Sequence, residues 1–201
     1  VASRGLGDVY KRQVVEVASS GTDTVSSGVS GYTLAANVEG LILTGSAAVG
    51  TGNSLDNILI GNLLANTLVA LDGNDTLDGG TGDDSLVGGT GNDFYIIDSI
   101  NDVVVETLNV GTDTVASGVN YTLSGNLESL ILTGTATTGV GNASSNMLAG
   151  NSLANTLDGG AGNDTLVGGD GNDFYLIDTS GDVVVEVANS GIDTISSGVS
   201  Y

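Results

Sequence analysis

GGTGDDSLVGGTGNDFYIID (79–98) returns almost unchanged as GGAGNDTLVGGDGNDFYLID (159–178). Within each copy an aspartate follows a glycine by two residues and recurs every nine: Asp84 and Asp93, then Asp164 and Asp173. Working backward, ALDGNDTLD (70–78) adds Asp75 in the same phase. Numbering each nonapeptide from its first glycine puts glycines at positions 1, 2 and 4, the acid at 6 and a large apolar residue at 8. Position 8 holds Leu59, Leu68, Leu77, Leu86 and Tyr95, then Leu148, Leu157, Leu166 and Tyr175. The glycines open the left-handed backbone region, so positions 1–6 read as a turn. The last three residues read as a short strand that points one side chain inward. One such strand cannot bury itself, but stacked coils can. The predicted fold is therefore all-β, a parallel β-roll or β-solenoid of stacked nonapeptide turns.

The nine-residue frame extends with loss of detail. GNSLDNILI (52–60), GNLLANTLV (61–69), GNASSNMLA (141–149) and GNSLANTLD (150–158) carry Asn57, Asn66, Asn146 and Asn155 at position 6. IDSINDVVV (97–105) and IDTSGDVVV (177–185) keep Asp102 and Asp182 without the glycines. A larger repeat encloses these. NVEGLILTG (37–45) returns as NLESLILTG (126–134), a shift of 89, whereas the glycine-rich blocks are shifted by 80. The difference is one nonapeptide, which makes nine residues the structural unit as well. Val104, Val115, Leu123 and Ile131 continue an apolar rhythm toward Leu148, so the coil is expected to run through 106–140 with irregular turns.

Composition narrows the function classes. The net charge is −21, and all three basic residues, Arg4, Lys11 and Arg12, precede residue 13. All but one of the 24 acids follow it, so they have no protein cation nearby. Nucleic-acid binding is disfavoured, because phosphate contacts need Lys and Arg. Without Cys or His there is no disulfide, no zinc site and no His or Cys catalysis. No apolar run approaches the ~18 residues of a membrane span. A hydrophobic fraction of 40 % and mean hydropathy of +0.24 argue against disorder.

Two nonapeptides complete a coil of about 18 residues, which stacks Asp75 over Asp93, Asp84 over Asp102 and Asp164 over Asp182 at about 4.8 Å. Carboxylates so close repel unless a cation lies between them. An all-oxygen, flexible cage of carboxylates and turn carbonyls suits Ca²⁺ better than Mg²⁺. The motifs GGTGDDSLVGGTGND and GGAGNDTLVGGDGND resemble GGxGxDxUx, the hemolysin-type (RTX) calcium-binding repeat. GTDTVxSGVxYTL…NLESLILTG resembles the spacer of large bacterial RTX proteins.

That resemblance implies several Ca²⁺ ions in the turns and export to an extracellular location by type I secretion. It places the metal ligands at Asp75, Asp84, Asp93, Asp164 and Asp173, with Gly73, Gly80, Gly82, Gly89, Gly91, Gly160, Gly162, Gly169 and Gly171 shaping the turns. Asparagine lowers the ligand charge at 57, 66, 146 and 155, so those turns are expected to be metal-free or weak sites, with side-chain ladders as a metal-free way to hold the coil. Ala70 and Leu71 replace two leading glycines, and Asp102 and Asp182 are weak ligand candidates.

The resulting division is 14–51 a β spacer, 52–105 a first calcium-binding block, 106–140 a second spacer, 141–185 a second block and 186–201 a truncated spacer. Residues 1–13 break the repeat, and SRGLGDVYKRQ (3–13) resembles a translated sequencing adapter; a genuine basic arm is the alternative. The closing SSGVSY matches the start of another unit, which implies a fragment of a longer protein. Phe94-Tyr95 and Phe174-Tyr175 read as core rather than as a carbohydrate-stacking site, and the strand threonines as ordinary strand residues rather than an ice-binding face. Glu39, Glu106, Glu128 and Glu186 stand as single acids with no convergent partner, which leaves no catalytic pair and an expectation of no enzyme activity. An adhesive or structural spacer that meets an extracellular surface or glycan, or an accessory region of a secreted enzyme, is the alternative function.

Overall fold

The computed structural model describes residues 14–17, 21–106, 111–187 and 190–200; the expectations about residues 1–13 and the closing Tyr201 lie outside them. Among the described residues the regular structure is entirely short β-strands, twenty of them. Ten pair in parallel as one long sheet from Thr24–Ser27 to Val183–Val185. The opposite wall is two five-stranded parallel sheets. One runs from Tyr32–Thr33 to Val103–Val105, and the other from Tyr121–Thr122 to Thr194–Ser197. Successive strands alternate between the walls, so the chain winds as a parallel β-solenoid, as the nine-residue period requires.

Register follows the repeat. Ile58 pairs with Thr76 and Thr76 with Phe94 on the long sheet. Thr67 pairs with Ser85 and Ser85 with Val103 on the other wall. Both steps are two nonapeptides. All nine predicted position-8 side chains, from Leu59 to Tyr175, are fully buried, each leucine contributing about 2–3 kcal/mol of apolar burial. In the spacers, Gly50 and Gly139 take the corresponding inward places. A Cβ there would press on Leu41 and Leu43, or on Leu130 and Leu132, which fill the space from the opposite wall.

The long sheet passes without interruption through the spacer, from Phe94–Ile97 to Thr114–Ser117 to Ser129–Leu132. The coil therefore continues as expected, while the second wall changes sheet between Val103–Val105 and Tyr121–Thr122. Spacer coils have irregular lengths: stacked residues are 20 apart at Asp93 and Asp113, and 15 apart at Asp113 and Glu128. That irregularity displaces one expected core residue. Val104, Val115 and Leu123 are buried, but Ile131 is 38 % exposed, and Leu130 and Leu132 point inward instead. The shortened coil pairs Val115 with Leu130, and strand alternation then turns Ile131 outward. The aromatic pairs divide in the same way. Tyr95 and Tyr175 are core, whereas Phe94 and Phe174 lie on the outer face.

Candidate metal centre

The position-6 side chains turn into the coil rather than toward water. Asp75, Asp84, Asp93, Asp164 and Asp173 are each no more than 2 % exposed. One oxygen of each accepts a backbone N–H from position 6 of the coil below. The bonds run from Asn57 to Asp75 (2.6 Å), Asn66 to Asp84 (2.7 Å), Asp75 to Asp93 (2.8 Å), Asn146 to Asp164 (2.7 Å) and Asn155 to Asp173 (2.7 Å). This is the expected stack of Asp75 and Asp93, and Asp84 and Asp102, Asp164 and Asp182 stack in the same way. The second oxygen, Oδ2, is buried without a partner in all five. In four of them it lies under position 1 of its own turn. A side chain on Gly79, Gly88, Gly159 or Gly168 would collide with the Oδ2 of Asp84, Asp93, Asp164 or Asp173.

The glycines make this close packing sterically accessible. Position-4 glycines Gly73, Gly82, Gly91, Gly162 and Gly171 have φ between +128° and +143°, a region closed to other residues. A Cβ at each would press on the backbone carbonyl of the coil below: Leu55, Leu64, Gly73, Ser144 and Leu153 respectively. Position-2 glycines Gly80, Gly89, Gly160 and Gly169 have φ from +74° to +123°. In the turn that lacks a position-2 glycine, Leu71 takes φ +92° and carries the strain.

Asparagine turns solve the same packing differently. Asn57, Asn66, Asn146 and Asn155 use Oδ1 to accept the N–H of the asparagine at position 2 of their own turn: Asn53, Asn62, Asn142 and Asn151. The Nδ2 of Asn66, Asn146 and Asn155 donates to the carbonyls of Ala47, Leu127 and Ala136 in the coil below. Asn62, Asn142 and Asn151 reach the same three carbonyls. An amide donor thus occupies the carbonyl-lined side of the turn. An aspartate turn has no such donor, an acceptor with no partner and a negative charge. A cation is the partner that its chemistry lacks, and a hard oxygen-binding one fits. In the sequence, these turns are marked by an asparagine at position 2 wherever asparagine holds position 6.

Asp102 and Asp182 are different again. Oδ2 of Asp102 accepts the N–H groups of Asp98 and Ser99, and Oδ2 of Asp182 those of Asp178 and Thr179. Both oxygens are satisfied, so these residues close the columns of Asp84 and Asp164 as turn caps.

Burial dominates the electrostatics. It pushes Asp75 up to about 7, with Asp93 adding repulsion and the Asn57 N–H opposing it. It raises Asp164 to about 6, with Asp182 adding, and it raises Asp84, Asp93 and Asp173. At Asp182 the hydrogen bonds from Asp164 and Thr179 outweigh burial, and its carboxyl is lowered. The only three basic residues lie before residue 14, outside the described residues.

Two more acids join the column where the repeat ends. Asp93, Glu106 and Asp113 offer carboxylate oxygens within 4.8 Å of one another, and so do Asp173, Glu186 and Asp193. Glu106 and Glu186 are therefore not isolated acids, contrary to the sequence expectation. The long-range winding supplies partners that a linear reading could not place.

A parallel solenoid whose glycine turns are lined by acids, with no basic side chain among the described residues, has the donor set of a calcium-binding β-roll. Residues 60–95 and 140–175 match the family model of the RTX calcium-binding nonapeptide repeat, in four copies. These four repeats and the β-solenoid around them fit an RTX-repeat protein, and RTX nonapeptides bind Ca²⁺. No curated protein matches the chain. No helix among the described residues is long and apolar enough to cross a membrane.

Proposed function

We propose that this chain is a calcium-gated folding segment of a larger protein exported from a bacterial cell, with no catalytic turnover of its own. The observation that carries the reading is the set of five buried carboxylates, each with an orphaned oxygen and none with a cationic side chain beside it among the described residues. At cytosolic calcium these carboxylates repel and the coil is disfavoured, which suits passage through an export channel. At extracellular calcium of about 10⁻⁴–10⁻³ M the turns fill, and ion binding and folding become one equilibrium. Asp75, Asp84, Asp93, Asp164 and Asp173 serve as the ligands, with carbonyls of the glycine turns completing the oxygen set. The secretion typical of RTX proteins supports the extracellular assignment, and any surface or glycan partner would meet the outer faces of the strands.

The test is far-UV circular dichroism of the full chain, titrated with Ca²⁺ and separately with Mg²⁺ after exhaustive chelation. A cooperative gain of β signal with calcium alone is expected. A β spectrum that persists unchanged in chelator at pH 7.5 would sink the proposal and leave a structural spacer held by leucine and asparagine ladders.

A further inference from the structure

The first acidic column does not stop at the last complete nonapeptide. The Asp93 N–H donates to Asp113 Oδ1 (2.7 Å), and the Asp113 N–H donates to Glu128 Oε2 (2.8 Å). Gly111 keeps the position-4 backbone, with φ +132° and its missing Cβ aimed at the Gly91 carbonyl. What changes is position 1. The residue one coil beyond Gly88 is Glu106, and its side chain folds back over the turn below. A Cβ on Gly88 would meet Tyr95 Oη, Asp93 Oδ2 and Glu106 Oε1 together, so three polar atoms surround one small space. Tyr95 donates its hydroxyl proton to Glu106, which orients that carboxylate. Asp93 Oδ2 and Glu106 Oε2 are both buried without a partner, and Asp93 is only 2 % exposed. Asp113 is 1 % exposed.

The arrangement recurs in a more open form, with Glu186 exposed, Asp193 less buried than Asp113, and Glu186 Oε2 accepting the Ser190 hydroxyl (2.9 Å). Tyr175 donates to Glu186, the Asp173 N–H donates to Asp193 Oδ1 (2.9 Å), and a side chain on Gly168 would meet Tyr175 Oη and Asp173 Oδ2. In both copies the glutamate follows the tyrosine by 11 residues and the second aspartate follows the first by 20.

We infer that Glu106 and Asp113 join Asp93 in a divalent-cation site at the seam between nonapeptide block and spacer, and that Glu186 and Asp193 join Asp173 in a second. Two of the three carboxylates at each seam lie outside the nonapeptide motif. The seam offers three carboxylates where a regular step in the column offers two, so it is the more acidic position. A hard cation with a flexible oxygen shell, Ca²⁺ above all, matches this donor set. Bound there, it fastens the irregular 20-residue coil to the regular one and carries folding from block to spacer. The inference takes its ion from the calcium reading of the turns but its geometry from the seam alone.

The experiment is a count of bound Ca²⁺ at pH 7.5, by equilibrium dialysis and calorimetry, on the full chain and on two double variants. Glu106→Gln with Glu186→Gln keeps an acceptor for each tyrosine. Asp113→Asn with Asp193→Asn keeps the acceptor for the N–H below. Each double variant is expected to bind two fewer ions than wild type while reaching the same ellipticity at saturating calcium. Tyrosine-sensitised Tb³⁺ emission gives an independent readout, since the chain has no tryptophan, and it should fall in the Glu106→Gln, Glu186→Gln protein. Equal, non-zero counts in wild type and both variants overturn the seam sites and leave the turns intact. A count of zero in wild type overturns the calcium reading itself.

Discussion

Replacing Asp75 with asparagine should make the metal-free chain more stable and the calcium response weaker. Asp75 Oδ1 accepts the Asn57 N–H at 2.6 Å, and an asparagine keeps that acceptor. Its new Nδ2 replaces the orphaned Oδ2, so a buried acceptor with no partner and its charge are removed together. The charge removed is one that burial penalises, since it raises the carboxyl from 3.8 to about 7. A carboxyl whose pKa rises on folding holds its proton more tightly in the fold. Its contribution is fully present below about 3.8 and is lost as pH rises through about 7. The displacement corresponds to at most ~4 kcal/mol, and screening by water outside the turn reduces it to ~2 kcal/mol. For a chain of this size, that is a melting temperature higher by roughly 4–8 °C. The assay is thermal unfolding followed by circular dichroism in chelator, at pH 7.5 and at pH 4, beside the same melts in calcium. At pH 7.5 without calcium the variant should melt higher than wild type, and at pH 4 the two should nearly coincide. With calcium the order should reverse, because a ligand is gone. A variant that melts lower than wild type in chelator at pH 7.5, or an advantage that persists undiminished at pH 4, would refute the reasoning.

Two further substitutions probe the turn backbone. Gly91→Ala puts a methyl against the Gly73 carbonyl at φ +129° and should cost at least ~2 kcal/mol. Calcium titration by circular dichroism would then show a higher midpoint, and an unchanged midpoint would count against the close approach. Leu71→Gly relieves a strained φ of +92° at a side chain 43 % exposed. The strain relieved, about 1–3 kcal/mol, exceeds the ~0.5–1 kcal/mol of added chain entropy, so the melting temperature should rise by a few degrees. A fall would mean that Leu71 contributes packing that outweighs its strain.

Much of this architecture is legible because its determinants are local and periodic. The nine-residue step carries turn chemistry, strand and inward residue together, so Leu59 through Tyr175 fall in the core as their positions predict. The frame fails where the coil length departs from two nonapeptides. In the 15-residue step from Asp113 to Glu128, the apolar rhythm points to Ile131, while strand pairing selects Leu130 and Leu132. In the 20-residue step from Asp93 to Asp113, two added residues take Asp113 out of phase with the motif, and Glu106 stands where the motif has a glycine, so both read as unrelated acids.

The sequence by itself determined the parallel coil, the identity of the acidic turns and the contrast between aspartate and asparagine rows. These follow from the order of residues within nine. The tertiary structure alone decided which oxygens are left without partners, that each asparagine at position 6 is paired with one at position 2, and that a tyrosine, a glutamate and two aspartates meet at each seam. Those facts depend on stacking residues 18 or 20 apart, and burial at that contact sets both the hydrogen-bond partners and the cost of a charge.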